Sequence, residues 1–420
     1  MNLRRILFTF GTRLGAALLN FGLVWLTARW LGAAGRGEVS LFAIDRTLLL
    51  LFAGLVGGSS LIYLAPRRNL WHLLLPAYGW SVLVSAVGTT VVWWWRQPPA
   101  AYAAYLGAAS LAEGLVLVHV QLLLGRRRER LYNAVGLLQS LGVALGLAAA
   151  FFALRWQSAP AYYTAHILTY LVLWVLTGRV LWQQPDRPRG HRRRWRYVAR
   201  ELARHSRSAH FSNLVSFANY RLGFYFVAAW VGTGAVGVLS VGVALAEAIW
   251  LIPRSISQVQ YVDTIYSANV AAPVQATVRA VRLSAVLSAL AVLVLALVPA
   301  HWLAAVFGRD FAGAQRIVWA LALGVVAFSM HMQLSAFFAG TARYRTNNTA
   351  AVLGLVLTLG ACSVLIPRYG AVGAAWAATV SYLGSTLWLA WRFVRAAGIS
   401  PTELLPRPAD AALLAQRLRR

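Results

Sequence analysis

Several ionisable side chains lie within long apolar stretches of this 420-residue sequence, where a charge is costly unless it has a partner or a polar cavity, and six of them are candidates for chemistry. An arginine in such a place can bind a phosphate or carboxylate through the parallel donors of its guanidinium group. A carboxylate there can carry a proton. The residues are the arginines Arg13, Arg46 and Arg221 and the acids Asp45, Glu113 and Glu247.

The depths of the three arginines favour a common anion site. At a helical rise of about 1.5 Å per residue, Arg221 lies roughly 20 Å from the inner end of its predicted helix. On the same basis Arg46 lies about 9 Å below the outer end of its helix and Arg13 about 10 Å from an inner end, where its side chain can also reach the membrane surface. Their helices occupy corresponding places in two halves of the chain. We therefore expect the three arginines to converge on a cavity between the halves.

An alternative interpretation is a structural network of ion pairs. Glu247 lies within reach of Arg221 at a similar depth, Asp45 directly precedes Arg46, and Glu113 is a third acid within a span. If the arginines bind a substrate instead, these acids could couple its movement to protons or another ion. The scattered histidines have no metal-ligand spacing, and P-loop, zinc and nucleophile-elbow motifs are absent from the sequence. We therefore expect no metal, no cofactor and no enzymatic activity.

Composition predicts an all-α membrane protein. Hydrophobic residues make up 60% of the sequence and charged residues 12%, and apolar runs of about 20 residues recur throughout. Because a backbone in lipid must satisfy its own hydrogen bonds, continuous runs of this length indicate helices. The twelve predicted spans are 8–31, 40–64, 70–95, 101–124, 131–154, 160–182, 208–231, 236–258, 281–306, 316–339, 349–366 and 371–394.

The arginines set the predicted topology, since the sequence contains no lysine. With both termini in the cytoplasm, the inner segments hold 27 arginines and the outer loops hold six. The predicted parts are a six-helix bundle (1–182), a basic cytoplasmic linker (183–207), a second six-helix bundle (208–397) and a basic cytoplasmic tail (398–420). Six spans per half imply a pseudo-two-fold axis along the membrane normal. Basic segments beside membrane helices bind anionic lipids, so we expect no nucleic-acid partner.

A short glycine turn repeats after 200 positions. Trp30, Gly32, Gly37 and Ser40 correspond to a second set of the same residue types, Trp230, Gly232, Gly237 and Ser240. The repeat predicts two related halves whose glycines allow tight turns between helices.

Several stretches resemble the polysaccharide flippase branch of the multidrug/oligosaccharidyl-lipid/polysaccharide (MOP) exporter superfamily. Residues 365–377, Leu-Ile-Pro-Arg-Tyr-Gly-Ala-Val-Gly-Ala-Ala-Trp-Ala, resemble that family's turn between its last two helices. Further likenesses lie at 219–223, 246–253, 306–311 and 340–344. The sequence departs from the family pattern at Gly223, where an acid often stands, and lacks a proline near 260–262.

The resemblance implies a lipid-linked glycan flippase of the bacterial inner membrane. Its expected substrate is an undecaprenyl-diphosphate-linked oligosaccharide moved to the outer leaflet, with Arg13, Arg46 and Arg221 at the diphosphate. A glycan polymerase or glycosyltransferases are possible partners. The main alternative is an ion-coupled exporter of small cationic drugs, which arginines in the cavity would disfavour. A scaffold or a polymerase is a third class, and the short outer loops disfavour the polymerase.

Overall fold

The computed structural model describes residues 3–184, 186, 195–267 and 271–405; within these ranges, the side chains of 3–10, 13, 195, 196, 205–209 and 271 are left undescribed. All regular structure in this part of the chain is helical. The helices are α1 (Leu3–Gly57), α2 (Ser59–Leu64), α3 (Leu70–Arg96), α4 (Ala100–Gly125), α5 (Glu129–Ala148), α6 (Ala159–Trp182), α7 (Trp195–Trp230), α8 (Thr233–Ala248), α9 (Leu251–Tyr266), α10 (Ala271–Ala296), α11 (Ala300–Phe307), α12 (Ala314–Gly340) and α13 (Tyr344–Ala397). Short π or 3₁₀ turns lie at Ala149–Ala153, Arg309–Gly313 and Pro401–Leu404.

The helices form twelve spans. Among the described residues, eight helices are long and apolar enough to cross a membrane, or nine when the bent pair α8 and α9 is one span. Two of these, Leu14–Leu64 and Tyr344–Ala397, are long enough to cross twice. Helix α7 supplies the remaining span. Its basic first half lowers its mean hydropathy, so it is not among the eight helices. The chain is therefore an all-α multi-pass membrane protein with twelve spans, as the sequence predicted, and the side on which its termini lie stays a prediction.

One predicted span was placed too far along the chain. The ninth was expected at 281–306, but α10 covers Ala271–Ala296 and the separate α11 begins at Ala300. Pro299 stands directly before α11 with an extended backbone, so the two helices cannot be continuous. The apolar residues of α11 had extended the predicted span beyond its true end.

The chain divides into two compact units. The first comprises Met1–Leu31 and Glu38–Leu214, and the second comprises Gly32–Gly37 and Val215–Arg420. The segment Gly32–Gly37 is thus grouped with the later helices, and it begins at Gly32, the non-helical residue at which α1 is kinked. Helix α7 contributes to both units, with the change at Val215.

In the first unit, α7 begins by packing on an apolar cluster. Val198 and Leu202 are buried in a group of leucines and valines from the region of α1–α4 and α6. Arg68 Nη2 donates to both carboxylate oxygens of Glu201 at 3.0 Å. This ion pair joins the first half of α7 to the loop before α3. The polar first half of α7 is therefore held by one apolar face and one ion pair.

In the second unit, α12 is the central helix. It is largely buried and packs against α8, α9, α10 and α13. Trp250, at the break between α8 and α9, donates from Nε1 to the Val325 carbonyl of α12 at 3.1 Å. Its ring contacts Phe328, and Tyr382 of α13 completes the aromatic group.

The repeated glycines turn the chain and bring two helices into backbone contact. Gly32 and Gly232 have φ angles of 66° and 112°, which glycine adopts without strain. A Cβ added at Gly37 would overlap the Thr233 carbonyl oxygen, and one at Gly237 would overlap that of Ala33. The contact is reciprocal, so the repeat found in the sequence is also a repeat in packing.

Gly237→Ala is expected to destabilise the protein by about 1–3 kcal/mol, because its new methyl group meets backbone that must shift. Gly234→Ala, on the same helix, is the matched control, since a Cβ there meets nothing within 4 Å. Thermal unfolding of the two variants in detergent would measure the difference. Equal unfolding temperatures would contradict the tight contact.

Candidate functional site: paired charges within the helices

Arg221 and Glu247 form a two-pronged ion pair in the second unit. Arg221 Nη1 and Nη2 donate to Glu247 Oε1 and Oε2 at 3.1 and 3.2 Å. The two side chains are half-buried, with 31% and 30% of their surface exposed. The sequence had indicated that these two residues could meet, and in the structure they do.

The pair lies at an interrupted helix. Glu247 is one residue from the end of α8, and α9 continues after a bend of 48°. The proline at position 253 lacks a backbone N–H and favours such a bend. Interrupted membrane helices commonly carry substrate or ion sites, because their free backbone groups and end charges face a cavity.

A small cavity lies beside the pair. Its volume is about 30 Å³, and Glu247 lines it together with Asn219, Tyr220, Thr358 and Tyr382. A volume of this size holds roughly one or two water molecules and no sugar ring. The cavity therefore has room for water beside Glu247, and a larger ligand of Arg221 would have to lie outside it.

Arg46 belongs to a buried cluster in the first unit. Its Nη1 contacts Glu113 Oε2, and the side chains of this pair are 13% and 12% exposed. Glu113 also accepts hydrogen bonds from His166 Nε2 and from the Tyr170 hydroxyl, each at 3.3 Å. The charge of Arg46 is thus already neutralised by a well-bonded acid.

Asp45 has a different arginine as its partner. Arg96 Nη1 donates to both carboxylate oxygens of Asp45 at 2.8 Å, and the Tyr102 hydroxyl also donates to Asp45. Asp45 is almost fully buried. Arg96 is the last residue of α3, so this ion pair joins the end of α3 to α1.

Arg13 lies on α1, but its side chain is outside the described residues. The structure therefore forms the expected pair of Arg221 with Glu247, and it pairs Arg46 with Glu113, a combination that the sequence had not indicated. These belong to the second and first units respectively. Convergence of all three arginines stays a prediction.

Sequence reasoning missed the residues that complete the Arg46 cluster. His166 and Tyr170 stand one helical turn apart on α6, with ring centroids 4.3 Å apart. That i, i+4 spacing within an apolar span was the available signal. A second histidine, His119, bonds to Tyr78 and Thr177 nearby in the same unit. No group of metal-ligating side chains occurs in the described residues.

The described residues thus form a multi-pass helical membrane protein with ion pairs inside its helices. Comparison with protein-family models and with curated proteins finds no match. Among solved structures, the lipid II flippase MurJ in an inward closed conformation is similar, with a TM-score of 0.75 and 11% identity over 95% of this chain and 89% of that one. An inward-facing multidrug resistance MATE transporter of the MOP superfamily has a TM-score of 0.72 and 14% identity, over 92% of this chain and 96% of that one. The Vibrio cholerae MATE transporter VcmN has a TM-score of 0.57 and 13% identity, over 93% of this chain and 94% of that one.

These similarities establish the fold. The chain has the fold shared by MurJ and the MATE transporters, which is the superfamily fold that its sequence motifs predicted.

Proposed function

We propose that this chain is a flippase of the bacterial inner membrane. It would move an undecaprenyl-diphosphate-linked oligosaccharide from the cytoplasmic to the outer leaflet by alternating access. The fold similarity to a lipid II flippase supports a lipid-linked substrate. The proposed partners are the substrate itself, anionic lipids beside the basic linker and tail, and a glycan polymerase or glycosyltransferases.

The observation that carries the proposal is the accessible Arg221–Glu247 pair. A diphosphate offers a guanidinium group the same two-pronged geometry as a carboxylate, with more negative charge. Because both side chains are about one-third exposed, the exchange of Glu247 for a diphosphate does not require opening a sealed core. Arg221 is therefore the leading diphosphate contact, and Arg13 and Arg46 remain proposed contacts.

In this mechanism Glu247 changes partner when the substrate binds. Once a diphosphate takes Arg221, the carboxylate of Glu247 is left beside a water-sized cavity at the interrupted helix. An isolated carboxylate in a membrane protein favours a proton or another cation. We therefore assign Glu247 the leading coupling role. Asp45 and Glu113 have arginine partners in more buried pairs and are the weaker candidates.

An ion-coupled exporter of small molecules is the second candidate. The likeness to MATE transporters supports it. A cationic drug, however, would bind Glu247 only in competition with Arg221, whose charge repels it, so it would be a poor ligand of this site.

Reconstituted vesicles would separate the two functions. One set would contain a fluorescent undecaprenyl-diphosphate-linked disaccharide, and the other a fluorescent cationic dye. We expect accelerated loss of the labelled lipid from one leaflet and no effect on the dye. Dye transport without lipid movement would overturn the flippase proposal.

A further inference from the structure

A larger cavity lies in the first unit, away from the paired charges. Its volume is about 210 Å³, and its lining includes Thr12 and Ala16 of α1 and Tyr132, Asn133 and Gln139 of α5. For comparison, an engineered cavity of about 150 Å³ binds benzene, a six-membered ring. The cavity is therefore large enough for a single sugar ring.

The chemistry of the lining suits an uncharged, hydroxylated ligand. A threonine hydroxyl, a tyrosine hydroxyl and two side-chain amides together offer both donors and acceptors. Among the described residues that line the cavity there is no arginine and no acid, so none of these residues supplies a counter-charge for an ionic group.

Gly136 leaves one side of the cavity open. It lines the cavity from α5, and a Cβ added to it would meet nothing within 4 Å. One residue further, Leu137 packs against Gly15 of α1, whose Cβ would lie 3.2 Å from the leucine Cδ1. The two helices thus touch beside the cavity, and Gly136 keeps space within it.

We propose that this cavity is a sugar-binding subsite, which takes one uncharged sugar residue of a lipid-linked glycan. The inference rests on the proposed function and extends it, because it assigns the glycan a site separate from the Arg221 diphosphate contact. Thr12 precedes Arg13 in the sequence, so a predicted diphosphate contact adjoins the subsite along the chain. Sugar selectivity then depends on Asn133 and Gln139, whereas charge recognition depends on arginine.

The test is to fill the cavity and compare two probes. Gly136→Leu places a side chain in the open space, and Gln139→Met removes an amide at nearly constant volume. The probes are undecaprenyl diphosphate carrying one N-acetylglucosamine and undecaprenyl diphosphate without sugar, each titrated against purified protein in detergent. We expect both variants to bind the sugar-linked probe at least tenfold more weakly and the sugar-free probe within twofold of the wild type.

Gly79→Leu is the matched control, since Gly79 also has open space at its Cβ but lies on α3 outside the cavity. It should bind both probes as the wild type does. Unchanged affinity of Gly136→Leu for the sugar-linked probe would overturn the subsite. An equal loss for both probes would also overturn it, and would assign the cavity to the lipid or diphosphate. A wild type that binds neither probe would instead contradict the proposed flippase function.

Discussion

Replacing Arg221 with alanine is expected to slow translocation of a lipid-diphosphate glycan by roughly 10- to 100-fold. The variant loses two donors to a charged group, and hydrogen bonds to charged groups contribute about 1.5–3 kcal/mol. The rate would be measured in vesicles with the labelled undecaprenyl-diphosphate-linked disaccharide. If the variant translocates the labelled lipid at the wild-type rate at equal protein level, Arg221 does not belong to the proposed site.

Two further variants separate binding from structure in this experiment. Arg221→Lys keeps the charge but not the planar fork, so we expect a partial loss. The double variant Arg221→Ala/Glu247→Gln removes both charges, so it lacks the uncompensated carboxylate that Arg221→Ala leaves behind. Recovery in the double variant would show that the uncompensated Glu247 caused the defect. Arg29→Ala is the control for general loss of positive charge, because Arg29 is an exposed arginine of α1.

The fold could be predicted from the sequence because a small number of sequence patterns determine it. Apolar runs of membrane-spanning length indicate helices, and glycines such as Gly32 and Gly232 mark where they turn. The error at α10 and α11 arose where Pro299 interrupts an apolar run, because hydropathy alone does not register a break. Nor did periodicity predict how α7 divides between the two units at Val215.

The candidate site was predicted in part. Sequence position gives the depth of a charge in the membrane, so Arg221 and Glu247 were rightly expected to be within reach of each other. Depth does not give the direction in which a helix face points. Asp45 therefore pairs with Arg96, whose long side chain reaches in from the end of α3, and not with its neighbour Arg46. Arg46 points instead to Glu113 on α4.

Exposure distinguishes the roles of the two pairs. Arg221 and Glu247 are accessible and linked by two bonds that a ligand can replace, whereas Arg46 and Glu113 lie in a buried cluster with His166 and Tyr170. Exchange of partners costs less in the first case, because water or a ligand can replace each bond. In the second, separation would leave charges buried, which is strongly destabilising. We therefore infer that the Arg46 cluster mainly stabilises the first unit.

Glu113→Ala is accordingly expected to destabilise the protein by about 3–5 kcal/mol, the usual cost of removing one partner from a buried ion pair. The variant leaves the guanidinium group of Arg46 in place, with its Nε already buried and without a hydrogen-bond partner among the described residues. It also removes the acceptor of His166 and Tyr170. Thermal unfolding of purified protein in detergent would show the loss, with Glu247→Ala as the comparison at an exposed pair.

The double variant Arg46→Met/Glu113→Leu decides whether the cost arises from the uncompensated charge. Replacing both partners of a buried pair with apolar side chains is often neutral or stabilising. We therefore expect it to recover most of the unfolding temperature that Glu113→Ala loses. If both variants unfold at the same low temperature, packing of the Glu113 side chain and not its charge stabilises the cluster. If the double variant is stable but no longer translocates the labelled lipid, Arg46 contributes to transport in addition to stability.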